Sequence, residues 1–150
     1  LDALLEEFEC DRITLMQFHN GGNLYPSGKS NIKFSIFYES VRPGITPLRE
    51  RYQNIPVSIF SKSINFVAEN NLMTIPDVKN LPLHDADVLG FSKNTDSKSQ
   101  YIIAIKSIDN KLVGMLTIFY VKKKKNLTDE RVTDLQLQAA ALGSGLHLNG

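Results

Sequence analysis

The residues best suited to binding chemistry stand in a short polar run, His19-Asn20-Gly21-Gly22, which follows an apolar stretch. Two glycines allow positive φ and a close approach of the backbone to a ligand. Backbone amides exposed in such a turn can bind an anion. The run therefore predicts a ligand contact through His19 and Asn20. The alternative is an ordinary turn whose histidine packs at the edge of a sheet.

A second polar run, His84-Asp85-Ala86-Asp87, contains side chains that ligate metals. No second histidine lies at a supporting spacing, so the run favours a solvated turn over a metal site. Cys10 follows an amphipathic stretch and is interpreted as a buried structural residue. No Gly-x-Ser-x-Gly segment supports a hydrolase triad. The sequence predicts neither an enzyme nor a metal site.

The charge and composition of the chain indicate which classes of partner it is expected to bind. The 150 residues carry 17 Lys and Arg against 16 Asp and Glu, and 42% are hydrophobic. The length and the hydrophobic fraction predict one globular domain over 1–150. The near balance of charge predicts that the domain does not bind nucleic acid. No stretch is long and apolar enough for a membrane span or a signal peptide, so a cytoplasmic protein is expected. Lys122–Lys125 is interpreted as a solvated hairpin exit that keeps a sheet edge soluble, the alternative being contact with phosphate or acidic lipid.

The elements follow from the apolar periodicity. Strands are predicted over 11–18, 33–40, 72–75, 99–108 and 111–121, and the last two form a hairpin joined by Asp109-Asn110. Helices are predicted over 1–10, from Pro56 to 70, and over 128–147 with Thr128 as N-cap. The first helix has no start signal and is expected to continue upstream, a processed or trimmed terminus being the alternative. This order predicts an α+β, three-layer fold: a central antiparallel five-stranded sheet, with terminal helices on one face and a helix plus loops on the other.

Several segments, taken in order, carry a family resemblance. They are Asp11-Arg12 before a strand, Asn71–Val78, Ser99–Ile105, Leu112–Ile118 and Thr128-Asp129-Glu130. This succession resembles a GAF domain, a small-molecule sensor module related in shape to PAS domains. Cys10 precedes the first strand and does not match the bilin-attaching cysteine of the phytochrome branch. The resemblance implies a non-enzymatic sensory or regulatory domain.

The predicted function is binding of a small ligand between the sheet and the central helix, with signalling through the terminal helices. The alternative is a dimerisation module whose pocket is filled by its own side chains. Aromatic and polar positions on the strands favour a pocket, with Asp77 at its rim. The sequence identifies neither the ligand nor a cofactor. The predicted ligand-binding residues are Phe18, His19, Asn20, Phe34, Tyr38, Phe66, Asp77, Tyr101, Thr117 and Phe119.

The terminal helices also predict a homodimer. Each shows an apolar stripe at spacings of three and four residues, narrower than the face of an ordinary core helix. Two chains are therefore expected to associate through these helices. The alternative is that both stripes are used on their own sheet. The predicted interface residues are Leu1, Leu4, Leu5, Phe8, Val132, Leu135, Ala139, Leu142 and Leu146.

Overall fold

The computed structural model describes residues 1–19, 32–80 and 95–149, with side chains up to residue 144. The helices are α1 (Asp2–Glu7), α2 (Ser61–Asn70) and α3 (Asp129–Asn149). The strands are β1 (Arg12–His19), β2 (Lys33–Val41), β3 (Ile55–Pro56), β4 (Leu72–Ile75), β5 (Ser99–Lys106) and β6 (Leu112–Tyr120). Short 3₁₀ turns cover Val57–Phe60 and Val78–Asn80. The solvated turn predicted at His84–Asp87 lies outside the described residues.

The sheet has the order β3-β2-β1-β6-β5-β4, and every neighbouring pair is antiparallel. It has six strands where the sequence predicted five, because Ile55 and Pro56 pair with Phe34 and Lys33. Pro56 was predicted to open a helix, but its φ of −60° and ψ of 131° are extended, and α2 begins only at Ser61. Proline has no N–H to donate, and an edge strand tolerates it.

The sheet separates two apolar layers, because successive side chains of a strand point to opposite faces. In β1, Ile13 and Leu15 face the terminal helices, whereas Met16 faces α2. The layer under α2 also contains Ile64 and Val67 from that helix. The three-layer α+β architecture predicted from the sequence is confirmed.

The two terminal helices are joined at their ends. The Arg131 guanidinium donates a hydrogen bond to the Glu7 carbonyl at 2.9 Å and lies 4.3 Å from the centre of the Phe8 ring. Thr128 caps α3 as predicted, since its hydroxyl accepts the Arg131 N–H at 3.2 Å. No helix in the described ranges is long and apolar enough to cross a membrane.

The apolar stripes of the terminal helices pack against the sheet of the same chain. Leu5, Phe8, Leu135 and Ala139 are buried in the layer between the sheet and the helices. The predicted dimer interface is therefore wrong for these residues, because a side chain buried in its own core cannot contact a partner. The remaining stripe residues in the described part pack partly buried against the same layer: Leu1, Leu4, Val132 and Leu142. The side chain of Leu146 lies outside the described part.

Close packing of β1 against β6 depends on a glycine. A Cβ atom built on Gly114 would lie 2.4 Å from the Met16 carbonyl oxygen, closer than real Cβ contacts. Just before the start of β6, the hairpin connection runs over 107–111 rather than through two residues alone. Asn110 takes a positive φ of 62° there, which its short side chain tolerates.

Candidate functional site

A small cavity lies between the sheet and α2. Its volume is about 40 Å³, and ordered water occupies roughly 10–15 Å³ of such space per molecule. It is lined mostly by apolar side chains from β1, β2, β5, β6 and α2. The lining residues are Met16, Phe34, Phe60, Ser63, Ile64, Val67, Gln100, Ile102, Met115 and Thr117.

One amide in this cavity is only half satisfied within the described residues. Gln100 is fully buried, and its Nε2 donates a hydrogen bond to Thr95 Oγ1 at 3.1 Å. Its Oε1 atom has no hydrogen-bond partner among the described residues. A buried acceptor left without a donor costs about 1–3 kcal/mol. Gln100 therefore brings a buried acceptor with no described partner to the lining of the cavity.

A buried arginine fixes the segment that carries Gln100's partner. Arg12 Nε and Nη2 donate to the Thr46 carbonyl at 3.0 and 2.6 Å, and Nη1 donates to the Thr95 carbonyl at 3.2 Å. The guanidinium carbon lies 4.9 Å from the centre of the Phe119 ring. Burial lowers the pKa of Arg12, and the negative charge of Glu39 opposes that shift. Arg12 thus joins the start of β1 to two connecting segments.

Some predicted site residues do meet on the α2 side of the sheet. Phe34 and Thr117 line the cavity, and Phe119 belongs to the same apolar layer. Phe18 packs against Phe34 with the ring centres 6.5 Å apart. His19, the next residue, is on the opposite face of the strand, where its Nε2 shares a 2.8 Å hydrogen bond with Ser35 Oγ. Asn20 lies outside the described residues.

Other predicted site residues lie elsewhere. Tyr101 faces the terminal helices, because its strand neighbours Gln100 and Ile102 face the cavity. Tyr38 is 54% exposed. A bulge between its strand and β1 pairs it with Leu15, which points toward the terminal helices. The prediction that these two tyrosines share a pocket with Thr117 is therefore wrong.

Phe66 and Asp77 are also separate from the cavity lining. Phe66 is 47% exposed on α2, because Ile64 and Val67 occupy the face of that helix that is buried. Asp77 lies beyond β4, where the Lys124 ammonium is 3.2 Å from its Oδ2. This hydrogen bond from Lys124 lowers the pKa of Asp77. The prediction that Asp77 borders the pocket is not supported by its position.

The thiol of the chain lies on the opposite side of the sheet from the cavity. Cys10 is fully buried in the layer beneath the terminal helices, and burial raises its pKa to about 12. A thiol in that state is a poor nucleophile at neutral pH. Within the described ranges, no three His, Cys, Asp or Glu side chains come together as a metal site. The polar run His84–Asp87 lies outside those ranges.

The residues that sequence reasoning missed are Gln100 and Arg12. Both are polar residues inside otherwise apolar strands, and that contrast was the available signal. Nothing in the sequence indicated that both would be buried on the α2 side. Their burial depends on strand pairing, since Gln100 pairs with Phe119, and Phe119 also pairs with Arg12.

Comparison with known proteins gives a result for structure alone. No protein-family model and no curated protein matches the sequence. A GAF domain of Synechocystis in its photoproduct state superposes with a TM-score of 0.73 at 16% identity, covering 99% of this chain and 89% of that one. The blue-light-absorbing PixJ GAF domain of Thermosynechococcus elongatus gives 0.73 at 16%, covering 99% and 82%. The chain has the GAF fold.

A third GAF domain, phycocyanobilin-bound and from a cyanobacterial phytochrome, gives a TM-score of 0.73 at 15% identity. The alignment covers 96% of this chain and 78% of that one. At such low identity these likenesses establish the fold and leave the ligand open. They confirm the resemblance that the order of sequence segments indicated.

Within this GAF fold, two adjacent residues of β5 connect the cavity with the start of α3. Gln100 faces the cavity, and the next residue, Tyr101, faces the other side of the sheet. The Tyr101 hydroxyl donates to the Lys125 carbonyl and accepts the Leu127 N–H at 3.0 Å. Leu127 directly precedes Thr128, the N-cap of α3. Strand β5 thus contacts both the cavity and the start of the last helix.

Proposed function

We propose that this chain is a sensory domain that binds a small ligand between its sheet and α2. The observation that carries the proposal is the buried Oε1 of Gln100, which has no partner among the described residues and belongs to a side chain that lines an apolar cavity. A few polar groups in an apolar surround are the usual chemistry of a small-molecule site. The GAF domains of similar structure support a sensory role.

The ligand we propose is compact and mostly apolar, with one N–H or O–H group that donates to Gln100 Oε1. A cavity of about 40 Å³ is too small for a large cofactor unless α2 moves. One neighbour of similar fold is phycocyanobilin-bound. Covalent attachment of a bilin to this chain is disfavoured, because its one cysteine, Cys10, is buried on the far side of the sheet. The proposed site residues are Phe18, Phe34, Gln100, Thr117 and Phe119.

Signalling through the terminal helices is part of the proposal. A ligand that binds Gln100 shifts the position of β5. The neighbouring Tyr101 is hydrogen-bonded to the backbone just before α3, so the shift reaches that helix. Arg131 then connects the first turn of α3 to α1. Because the cavity and the helices share one strand, a shift of β5 changes the position of α3. The domain acts as a non-catalytic, cytoplasmic regulator in this proposal.

The test is native mass spectrometry of the purified chain and of a Gln100→Leu variant. We expect a co-purified small molecule on the wild-type chain and its loss from the variant, because leucine cannot accept a hydrogen bond. Gln138→Leu is the matched control, since Gln138 is exposed on α3, and it should retain the molecule. A chain without any bound molecule, or equal binding by both variants, contradicts the proposal.

A second candidate is a dimerisation module with a pocket filled by its own side chains. The small cavity favours it, and so does Leu137, which is 65% exposed on α3. In this candidate two chains associate through the outer face of α3, where Leu137 lies close to the exposed small residues Ala140, Ala141 and Ser144. Small side chains allow two helices to approach closely. Ligand binding and dimerisation are separable by the variants described below.

A further inference from the structure

Five lysines surround a surface pocket at one end of the sheet. They are Lys79, Lys98, Lys122, Lys123 and Lys124, and all are exposed. We name this group the lysine pocket. Its volume is about 420 Å³, and Asp77, Val78 and Ser97 complete its lining. The lysines come from three separate segments: the 3₁₀ turn after β4, the residue before β5, and the chain after β6.

Strand order changes the interpretation of the lysine run. From the sequence, Lys122–Lys125 was expected to protect an exposed sheet edge. In the sheet, β6 lies between β1 and β5, and the edges are β3 and β4. The run therefore follows a central strand and not an edge strand. Its position beside Lys79 and Lys98 requires another reason.

The backbone of the run is held in place by three side chains. The buried carboxylate of Asp11 accepts the N–H groups of Val121 at 2.7 Å and Lys122 at 3.0 Å. Further along, the Ser99 hydroxyl accepts the Lys125 N–H at 2.9 Å, and the Tyr101 hydroxyl donates to the Lys125 carbonyl. The backbone that carries these lysines is therefore fixed by hydrogen bonds. A fixed backbone loses less conformational entropy when its side chains bind a ligand.

The charge of the lysine pocket is strongly unbalanced. Asp77 is the one carboxylate in its described lining, and it pairs with Lys124 at 3.2 Å. The Lys98 ammonium donates to the Lys122 carbonyl at 2.8 Å, which brings a further positive charge to the base of the run. The whole chain carries a net charge of only +1. The fold therefore concentrates here a positive charge that the composition alone does not show.

We propose that the lysine pocket binds a compound or headgroup that carries several phosphate groups. Lysine ammonium groups bind phosphate as point charges, and several of them around a concave surface suit an anion of high charge. Such an anion also relieves the mutual repulsion of the lysines. A free polyphosphate and a phosphorylated lipid headgroup share this chemistry. The pocket is distinct from the cavity at Gln100.

The experiment measures binding of two probes to the full chain. Inorganic triphosphate is titrated by calorimetry, and phosphatidylcholine vesicles containing phosphatidylinositol phosphates are tested by co-sedimentation. The test variant is Lys122→Gln with Lys123→Gln, whose side chains carry no structural hydrogen bond among the described contacts. The matched control is Lys62→Gln with Lys111→Gln, which removes the same charge from α2 and from the β5–β6 connection.

The proposal is supported if a probe binds the test variant about tenfold more weakly than the wild-type chain and binds the control variant equally well. Binding of triphosphate alone identifies a soluble ligand, and binding of vesicles alone identifies a headgroup. Absence of binding to both probes, or equal weakening in the test and control variants, overturns it. Gln100→Leu should leave this binding unchanged, so failure of the proposed sensory site is distinguished from failure of the lysine pocket.

Discussion

At the scale of single residues, the buried thiol of Cys10 makes stability depend on pH. Its pKa is about 12 in the folded chain, against an ordinary value of 9.0. Below pH 9.0 both the folded and unfolded chains keep the proton, and the thiol's contribution is fully present. Above it the unfolded chain loses the proton first, so stability decreases as pH rises toward 12.

We therefore expect the free energy of unfolding to decrease by up to about 1.4 kcal/mol per pH unit above pH 9.0 from this group. Urea unfolding at a series of pH values measures it, with Cys10→Ala as the comparison. The variant should show a shallower decrease just above pH 9.0. Burial also raises the pKa of Tyr101 and Tyr120, so both proteins lose stability at still higher pH. Identical slopes in the two proteins would show that the thiol is not buried.

At the scale of the elements, α3 packs on the sheet and, among its side chains up to residue 144, exposes one large apolar residue. Leu135 is fully buried against the sheet, whereas Leu137 is 65% exposed. Leu135→Glu places a carboxylate in an apolar layer and is expected to cost about 4 kcal/mol or more, a large part of a domain's stability. Leu137→Glu should change the free energy of unfolding of the monomer by about 0.5 kcal/mol or less.

Urea unfolding followed by circular dichroism compares these two variants directly. A folded, stable Leu135→Glu protein would contradict the placement of α3 on its own sheet. The comparison also decides between the two roles of the apolar stripe. If the stripe belonged to a dimer interface, Leu135→Glu would dissociate the chains and leave each of them folded.

At the scale of the whole molecule, the homodimer stays a prediction with a changed interface. Light scattering at micromolar concentration is expected to give about twice the 16.8 kDa mass of the chain. Leu137→Glu should return the mass to that of one chain without unfolding it, because the substitution affects the exposed face of α3 alone. A wild-type mass near 16.8 kDa would rule out the dimer.

Local patterns account for the parts of the fold that sequence reasoning predicted. Two strand-like runs on either side of Asp109-Asn110 indicated β5 and β6, and Thr128 before Asp129 and Glu130 indicated the start of α3. These features depend on residues close together in the chain, so the sequence contains the physical information directly. The order of such segments also indicated the GAF fold. The two-residue strand β3 was missed because its pairing with β2 is its sole distinguishing feature.

The sequence by itself determined the types and order of the elements other than β3, the apolar character of both helix stripes and the presence of polar side chains in the five predicted strands. The tertiary structure alone decided which face each side chain occupies. A bulge between β1 and β2 turned Tyr38 away from the cavity, and strand pairing buried Gln100 within it. The same pairing brought Lys79 and Lys98 beside the lysine run. Register and strand order depend on contacts between distant segments, and no local pattern encodes them.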